Sequence, residues 1–95
     1  MTYEVLSDDK IRQALSDLDG WELRGSAITK AFSFGSFQEA VAFIVRMSYI
    51  CEAHNHHPEL TNVYNQVTLS FSTHDAGDVI TDRDVAVASE IDTLQ

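Results

Sequence analysis

The stretch ELTNVYNQVTLSFST, residues 59–73, decides the fold of this chain. Its second half alternates the apolar side chains of Val67, Leu69 and Phe71 with hydroxyl side chains, a period of two that is typical of a half-buried strand. Asn65 is a residue type that turns favour, and it separates two predicted strands at 59–64 and 66–73. The stretch therefore predicts a β-hairpin in which residues equally far from Asn65 lie opposite each other.

A second hairpin is predicted before this one. Residues 21–24 and 27–34 have the composition of strands, and Gly25-Ser26 forms the turn between them. Each hairpin joins its two strands by a short turn, which makes the strands antiparallel, whereas a parallel pair would need a long crossover.

Three helices surround the hairpins. Each follows a serine or threonine that can cap it, and the predicted helices cover 8–18, 37–55 and a segment that starts at Thr81. Pro58, the only proline, forbids continuation of the second helix through His57. The order α-β-β-α-β-β-α predicts an α+β fold of one domain over 1–95, with a four-stranded antiparallel sheet and helices on one face.

The predicted sheet has edges that need protection. We expect its outer strands to carry one of two apolar sets, and few Lys or Pro residues are available to blunt such edges. The sets are Ile28, Phe32 and Phe34, or Val67, Leu69 and Phe71. Pairing with a second copy would cover an edge, so we expect a symmetric homodimer, with a tetramer as a further step.

The helix at 37–55 is apolar over about half of its circumference, which is wider than the roughly 100° stripe of a helix that faces one core. Two interpretations remain open. The helix is either well buried within its own subunit, or part of its surface contacts a second subunit.

Charge and cysteine content exclude several classes of function. Six Lys and Arg against 15 Asp and Glu give a net charge of −9, so we expect binding neither to nucleic acid nor to an anionic membrane surface. The longest nearly uncharged stretch, 40–45, is too short to span a bilayer. The single Cys51 cannot form an intramolecular disulfide, and residues 1–10 do not resemble a signal peptide, so we expect a cytoplasmic protein.

The four histidines all lie between positions 54 and 74. If the hairpin folds about Asn65, His74 lies opposite His56, and three imidazoles converge at one end of the sheet. Zinc binding is one interpretation, but no thiolate stands at finger spacing from the histidines. A structural role is a second, which we favour for His54 because it lies on the apolar side of its helix. Acid/base catalysis near neutral pH is the third.

Carboxylates accompany the histidines. Asp84 can complete a capping box at the start of the last helix, and it can also orient an imidazole; the two roles are compatible. Glu52 lies one turn before His56, and Glu59 follows Pro58. Both could tune the same site, although most exposed carboxylates are merely solvated.

The order and spacing of these residues resemble the pterin-4a-carbinolamine dehydratase family, whose animal members are also called the dimerisation cofactor of a homeodomain transcription factor. The phrases 62–65, 72–74 and 83–84 and the Gly-Trp pair at 20–21 also resemble the family. The residues that carry the motif are Glu52, His56-His57-Pro58, Tyr64, His74 and Asp84.

This resemblance implies the same α+β fold and a hydro-lyase reaction, the dehydration of 4a-hydroxytetrahydropterin to quinonoid dihydropterin, with neither metal nor cofactor. It implies a pterin as the small-molecule partner and assembly through sheet edges. The implied catalytic or pterin-binding residues are His56, His57, His74 and Asp84. The implied supporting residues are Glu52, Pro58, Glu59, Tyr64 and Thr73.

The chain departs from the family pattern at Asp78-Val79-Ile80, where a Gly-Leu pair is commoner, so another acid is expected near the mouth of the site. Two alternatives to a tetrahydrobiopterin dehydratase stay open. One is a non-catalytic pterin-binding or partner-binding dimer that resembles the coactivators of the family, and the other is a role in molybdopterin metabolism.

Overall fold

The computed structural model describes residues 2–95. The predicted α+β order is confirmed, and a short 3-10 turn at His74–Ala76 is added before the last helix. The elements are α1 (Asp8–Ser16), β1 (Glu22–Arg24), β2 (Ala27–Ser33), α2 (Phe37–His54), β3 (Glu59–Val63), β4 (Gln66–Phe71) and α3 (Asp82–Asp92).

The four strands form one sheet in the order β1-β2-β4-β3, and every neighbouring pair is antiparallel. Because β2 and β4 lie in the centre, the expectation that their apolar sets stand on outer strands is wrong. Ile28, Val67 and Leu69 are completely buried there. The edges are β1, with three exposed residues, and β3, which is mostly exposed. The strongest apolar alternation thus marks the strands that the helices cover.

The hairpin of β3 and β4 differs by one residue from the predicted register. Val63 pairs with Gln66, so the turn contains two residues, Tyr64 and Asn65, rather than Asn65 alone. Tyr64 has a positive φ of 52°, as two-residue hairpin turns require. If this register is continued past the ends of the strands, Thr73 lies opposite His56. The prediction that His74 lies opposite His56 is therefore wrong.

Helix α2 covers the sheet with one side and leaves an apolar stripe on another. Ser36 caps its start by accepting the backbone N–H of Glu39. Its buried side chains are Ala40, Phe43, Met47 and Cys51. The residues of what we call the α2 stripe lie four positions apart and are 37% to 73% exposed: Phe37, Val41, Val45 and Tyr49. The core of this subunit therefore accounts for only part of the apolar surface of the helix.

Trp21 joins the sheet to the end of α3. Its ring packs at centroid distances of 6.0 Å from both Phe32 and Phe71. Its indole N–H donates to the carboxylate of Asp92 at 3.0 Å, which also pairs with Lys30 at 3.0 Å. The lone tryptophan of the chain is 4% exposed, and it can report unfolding by its fluorescence.

Cys51 belongs to the core and not to any reactive surface. Burial raises the pKa of its thiol to about 11, with a smaller contribution from the charge of Glu52. The thiol of Cys51 therefore stays neutral at physiological pH. Within residues 2–95, no helix is both long enough and apolar enough to cross a membrane.

Candidate active site

A pocket of about 270 Å³ lies where the end of α2, the start of β3, the loop after β4 and the start of α3 meet. This volume is near the lower end for small-molecule sites, about 300 Å³. We call it the histidine pocket. Its lining residues are Asn55, His56, His57, Pro58, Glu59, Ser72, Thr73, His74, Asp75 and Arg83.

A buried imidazole–carboxylate pair forms the back of the pocket. His56 is 6% exposed, and its Nε2 lies 2.5 Å from Oδ1 of the fully buried Asp84. The ring also stacks on Phe71, with a centroid distance of 5.9 Å and planes 14° apart. Two independent contacts thus fix the orientation of His56. Because an ionised carboxylate only accepts, Nε2 carries the proton and Nδ1 is left for proton exchange.

Asp84 holds more than one element. Its Oδ2 accepts the hydroxyl of Thr73 at 2.9 Å and the backbone N–H of Thr81 at 2.9 Å, which completes the predicted capping box of α3. The Thr81 hydroxyl lies 2.7 Å from Thr73 Oγ1 and itself accepts the N–H of Arg83. Each hydrogen bond therefore donates toward Asp84. The N–H of Arg83 donates to the Thr81 hydroxyl, which donates to the Thr73 hydroxyl, which donates to Asp84.

The end of α2 is held by two consecutive residues of α3. Asn55 ends the helix in the left-handed conformation, with φ of 49° and ψ of 47°. The guanidinium of Arg83 donates to the carbonyls of His54 and Asn55, at 3.3 and 2.9 Å. Asp84 meanwhile holds the side chain of His56. Arg83 fixes the backbone before His56 and Asp84 fixes its ring.

The other two pocket histidines belong to exposed pairs. His57 Nε2 lies 2.7 Å from Glu52 Oε1, and His74 Nδ1 contacts Asp78 Oδ1. The side chains of His57 and His74 are 55% and 81% exposed, so solvent screens both pairs. Each of the three imidazoles of the pocket therefore has its own carboxylate, and only the pair of His56 is buried.

The structure brings together most of the residues that the sequence singled out. Eight line the pocket or contact a histidine of the pocket directly: His56, His57, Pro58, Glu59, Thr73, His74, Glu52 and Asp84. Asp84 stands directly behind His56. Tyr64 is different: it lies in the turn at the opposite end of the β3–β4 hairpin and does not line the pocket. His54 lies outside the pocket and pairs with Glu90 at 2.5 Å.

Several residues of the site were not predicted to form it: Arg83, Asp78 and the lining residues Asn55, Ser72 and Asp75. Arg83 was noted only as a neighbour of Asp84, and its contact with the end of α2 depends on how α2 and α3 pack. Asp78 was expected near the mouth of the site without a partner. Its spacing of four from His74 was a signal that could have paired them.

This arrangement suits proton transfer. A small, partly polar pocket presents three imidazoles, which can donate and accept protons near neutral pH, and the carboxylates orient them. Among residues 2–95, no group of three or more His, Cys, Asp or Glu side chains is placed to hold a metal ion. The histidines form separate pairs rather than a shared set of ligands.

The sequence of the whole chain is similar to those of known proteins. The sequence model of the family described as "Pterin 4 alpha carbinolamine dehydratase" matches residues 4–94. A protein of Opitutus terrae named "Putative pterin-4-alpha-carbinolamine dehydratase" is 43% identical over 90 residues, covering 95% of this chain and 93% of its own length. A protein of the same name from Sulfurisphaera tokodaii is 44% identical over 89 residues, covering 94% and 95%.

Solved structures give the same result. The crystal structure of a "transcriptional coactivator/pterin dehydratase" from Brucella melitensis superposes with a TM-score of 0.89 at 33% identity, covering 95% of this chain and 97% of the other. A pterin dehydratase-like RuBisCO assembly factor of the alpha-carboxysome has a TM-score of 0.62 at 21% identity, covering 78% and 84%. The second similarity is one of fold alone.

Replacing Asp84 by alanine should destabilise the protein. The change leaves the donors of His56, Thr73 and Thr81 without their buried acceptor, and we expect a loss of about 2 to 4 kcal/mol in the free energy of unfolding. Urea unfolding followed by Trp21 fluorescence measures it. Asp19→Ala, at an exposed position, is the control. A loss below about 0.5 kcal/mol for Asp84→Ala, which is the range of surface substitutions, would contradict the network.

Proposed function

This chain belongs to the pterin-4-alpha-carbinolamine dehydratase family, and from that premise we propose that it dehydrates a 4a-hydroxytetrahydropterin to a quinonoid dihydropterin by histidine acid/base catalysis. The observation that carries the proposal is the histidine pocket itself. It presents three imidazoles to one small cavity, each with a carboxylate of its own.

The proposed reaction needs one proton donor and one proton acceptor. An imidazolium protonates the hydroxyl on C4a, which leaves as water when the C4a–O bond breaks. A neutral imidazole takes the proton of N5, and the N5 electron pair forms the new double bond to C4a. One proton is given and one is taken, with no net oxidation, so histidines are sufficient for the chemistry. Positioned groups of this kind contribute rate factors of about 10² to 10⁴.

We propose that His56, His57 and His74 share the proton transfers, and that Asp84 orients His56. In this scheme Nδ1 of His56 exchanges the proton with the substrate, because Nε2 donates to Asp84. A rigid imidazole at the back of the pocket and two exposed imidazoles at its mouth fit a bicyclic substrate that must be held while protons move at neighbouring atoms.

A non-catalytic role is the second candidate. The relative from Brucella melitensis is named a coactivator as well as a dehydratase, and the exposed α2 stripe of this chain could serve such a partner. A role in molybdopterin metabolism would use the same pocket on another pterin. We further propose a cytoplasmic setting, since the chain has a single cysteine, which is buried and forms no disulfide.

The purified protein should accelerate the decay of synthetic 4a-hydroxytetrahydropterin, and it should do so equally in the presence of EDTA. The physical reason is that imidazoles, rather than a metal ion, supply and accept the protons in the proposed scheme. Absorbance of the quinonoid product measures the rate. Activity that disappears in EDTA and returns with zinc would exclude the scheme, and a complete lack of catalysis would favour the binding role.

Replacing the pocket histidines one at a time should separate them from His54. We expect His56→Ala, His57→Ala and His74→Ala to lower kcat/KM by about 10- to 10⁴-fold, as for the loss of positioned acid/base or binding groups. His54→Ala removes an imidazole outside the pocket and should cost much less.

Urea unfolding of each variant shows whether a loss of activity is a loss of fold, which matters most for the buried His56. Equal damage from His54→Ala and His74→Ala would refute the assignment of the pocket.

We also propose that two copies pair through β3. Of the two sheet edges, β1 has only three residues and carries Glu22 and Arg24, whereas β3 has five residues and contains neither Lys nor Pro. Leu60 and Val63 on β3 are 37% and 73% exposed. The short β1 edge has charged residues at two of its three positions and resists pairing, whereas the longer β3 edge carries a single charge, Glu59, and lacks the residues that blunt an edge. The α2 stripe is a separate surface that could join two such dimers.

Light scattering at tens of micromolar protein should give a particle of twice 10.6 kDa or a multiple of that dimer. Val63→Lys, which places a charge on the edge, should shift the protein toward the monomer. Val45→Lys on the α2 stripe should leave the dimer intact. Because the net charge of −9 opposes association, added salt should strengthen pairing. A 10.6 kDa particle in moderate salt would refute the dimer.

A further inference from the structure

We propose that Asp78 is a positioning residue for His74. Its carboxylate holds the imidazole in the tautomer that leaves Nε2 as the nitrogen able to exchange a proton with a molecule in the histidine pocket. The catalytic consequence rests on the proposed function, whereas the held tautomer can be measured without any substrate.

The loop that carries both residues is closed at its base. The N–H of Thr73 donates to the carbonyl of Val79 at 2.8 Å, and the carbonyl of Thr73 accepts the N–H of Asp78 at 3.0 Å. The hydroxyl of Thr73 donates a hydrogen bond to the buried Asp84. The backbone of Asp78 is therefore tied, through one residue, to the network that orients the imidazole at the back of the pocket.

The backbone at Asp78 is strained for a residue with a side chain. Gly77 and Asp78 are both left-handed, with φ of 89° and 60°. Glycine adopts this conformation freely, whereas an aspartate pays a conformational cost, though a smaller one than most residues. A glycine at 78 would relieve the cost and lose the carboxylate that contacts His74. Strained residues of this kind are concentrated at functional sites.

The contact determines which nitrogen of His74 carries the proton. A carboxylate only accepts hydrogen bonds, so Nδ1 of His74 donates to Asp78, and the neutral ring keeps its lone pair on Nε2. His56 and His57 have the opposite tautomer, because each donates to its carboxylate through Nε2 and keeps its lone pair on Nδ1. When His74 gives or takes a proton at Nε2, the proton on Nδ1 remains hydrogen-bonded to the Asp78 carboxylate.

The size of the effect follows from exposure. The side chains of His74 and Asp78 are 81% and 65% exposed, and exposed ion pairs of this kind are weak. We therefore expect loss of the carboxylate to lower kcat/KM by about 2- to 5-fold, with the change in kcat rather than in KM. His74 itself remains in place, so the effect should be far smaller than that of His74→Ala.

Asp78→Gly tests the proposal directly, because glycine accepts the backbone conformation and the variant should fold. Long-range proton–nitrogen NMR correlations of the neutral imidazole rings report the tautomers. In the unaltered protein, we expect a protonated Nδ1 for His74 and a protonated Nε2 for His56 and His57. In Asp78→Gly only the His74 nitrogens should shift, and the other two rings serve as internal references.

Two further variants make the test specific. Asp78→Asn keeps an oxygen that accepts from Nδ1, so it should keep the His74 tautomer and more of the activity than Asp78→Gly. Asp19→Gly removes one carboxylate from an exposed turn that does not line the pocket, and it should change neither the tautomer nor kcat/KM. Urea unfolding confirms that the variants are folded.

His74 nitrogen shifts that are the same with and without the Asp78 carboxylate would overturn the proposal. A shifted tautomer with unchanged kcat/KM would overturn its catalytic part. If the unaltered protein does not dehydrate 4a-hydroxypterin while Asp78→Gly still shifts His74, the proposed function fails and the positioning of the ring by Asp78 stands.

Discussion

The carboxylate of Asp84 accepts hydrogen bonds from three parts of the chain: the imidazole of His56 after α2, the hydroxyl of Thr73 after β4, and the backbone of Thr81 at the start of α3. A fully buried charge is costly unless such partners surround it. Once they do, the segments that meet there cannot move independently. The Asp84 carboxylate therefore fixes the loop after β4, the start of α3 and the orientation of the His56 imidazole.

Burial separates the three histidine–carboxylate pairs into two kinds. The pair of His56 and Asp84 lies in the interior, where electrostatic interactions are strong and the ring has one orientation. The pairs of His57 and His74 stand in solvent, where screening weakens the attraction between each ring and its carboxylate. The pocket thus combines one buried imidazole at the back with two exposed imidazoles at the mouth.

The same fold leaves surfaces that one subunit does not use. The helices cover β2 and β4, and the apolar side chains of those strands form the core, while β3 and the α2 stripe remain exposed. The pocket lies at the end of the sheet, where Glu59, the first residue of β3, lines it, and it includes no residue of the α2 stripe. The relative from Brucella melitensis is named both a coactivator and a dehydratase.

The sequence by itself determined the elements and the residue types of the site. Period-two alternation, capping serines and the single proline placed the helices and strands to within two residues, because these signals act over a few neighbouring positions. The spacing of His56, His57, His74 and Asp84 identified the candidate site for the same reason: the motif is linear. The buried role of Asp84 beside an imidazole was also accessible, since a capping position is local.

Only the tertiary structure decided strand order, register and the orientation of side chains. Which strands lie at the edge depends on how α2 returns the chain to the sheet, and a turn of two residues instead of one moved Thr73, not His74, level with His56. The same dependence kept Tyr64 away from the pocket and brought Arg83 to the end of α2. These contacts join residues far apart in the chain, and their geometry is fixed by packing between elements, which no local pattern encodes.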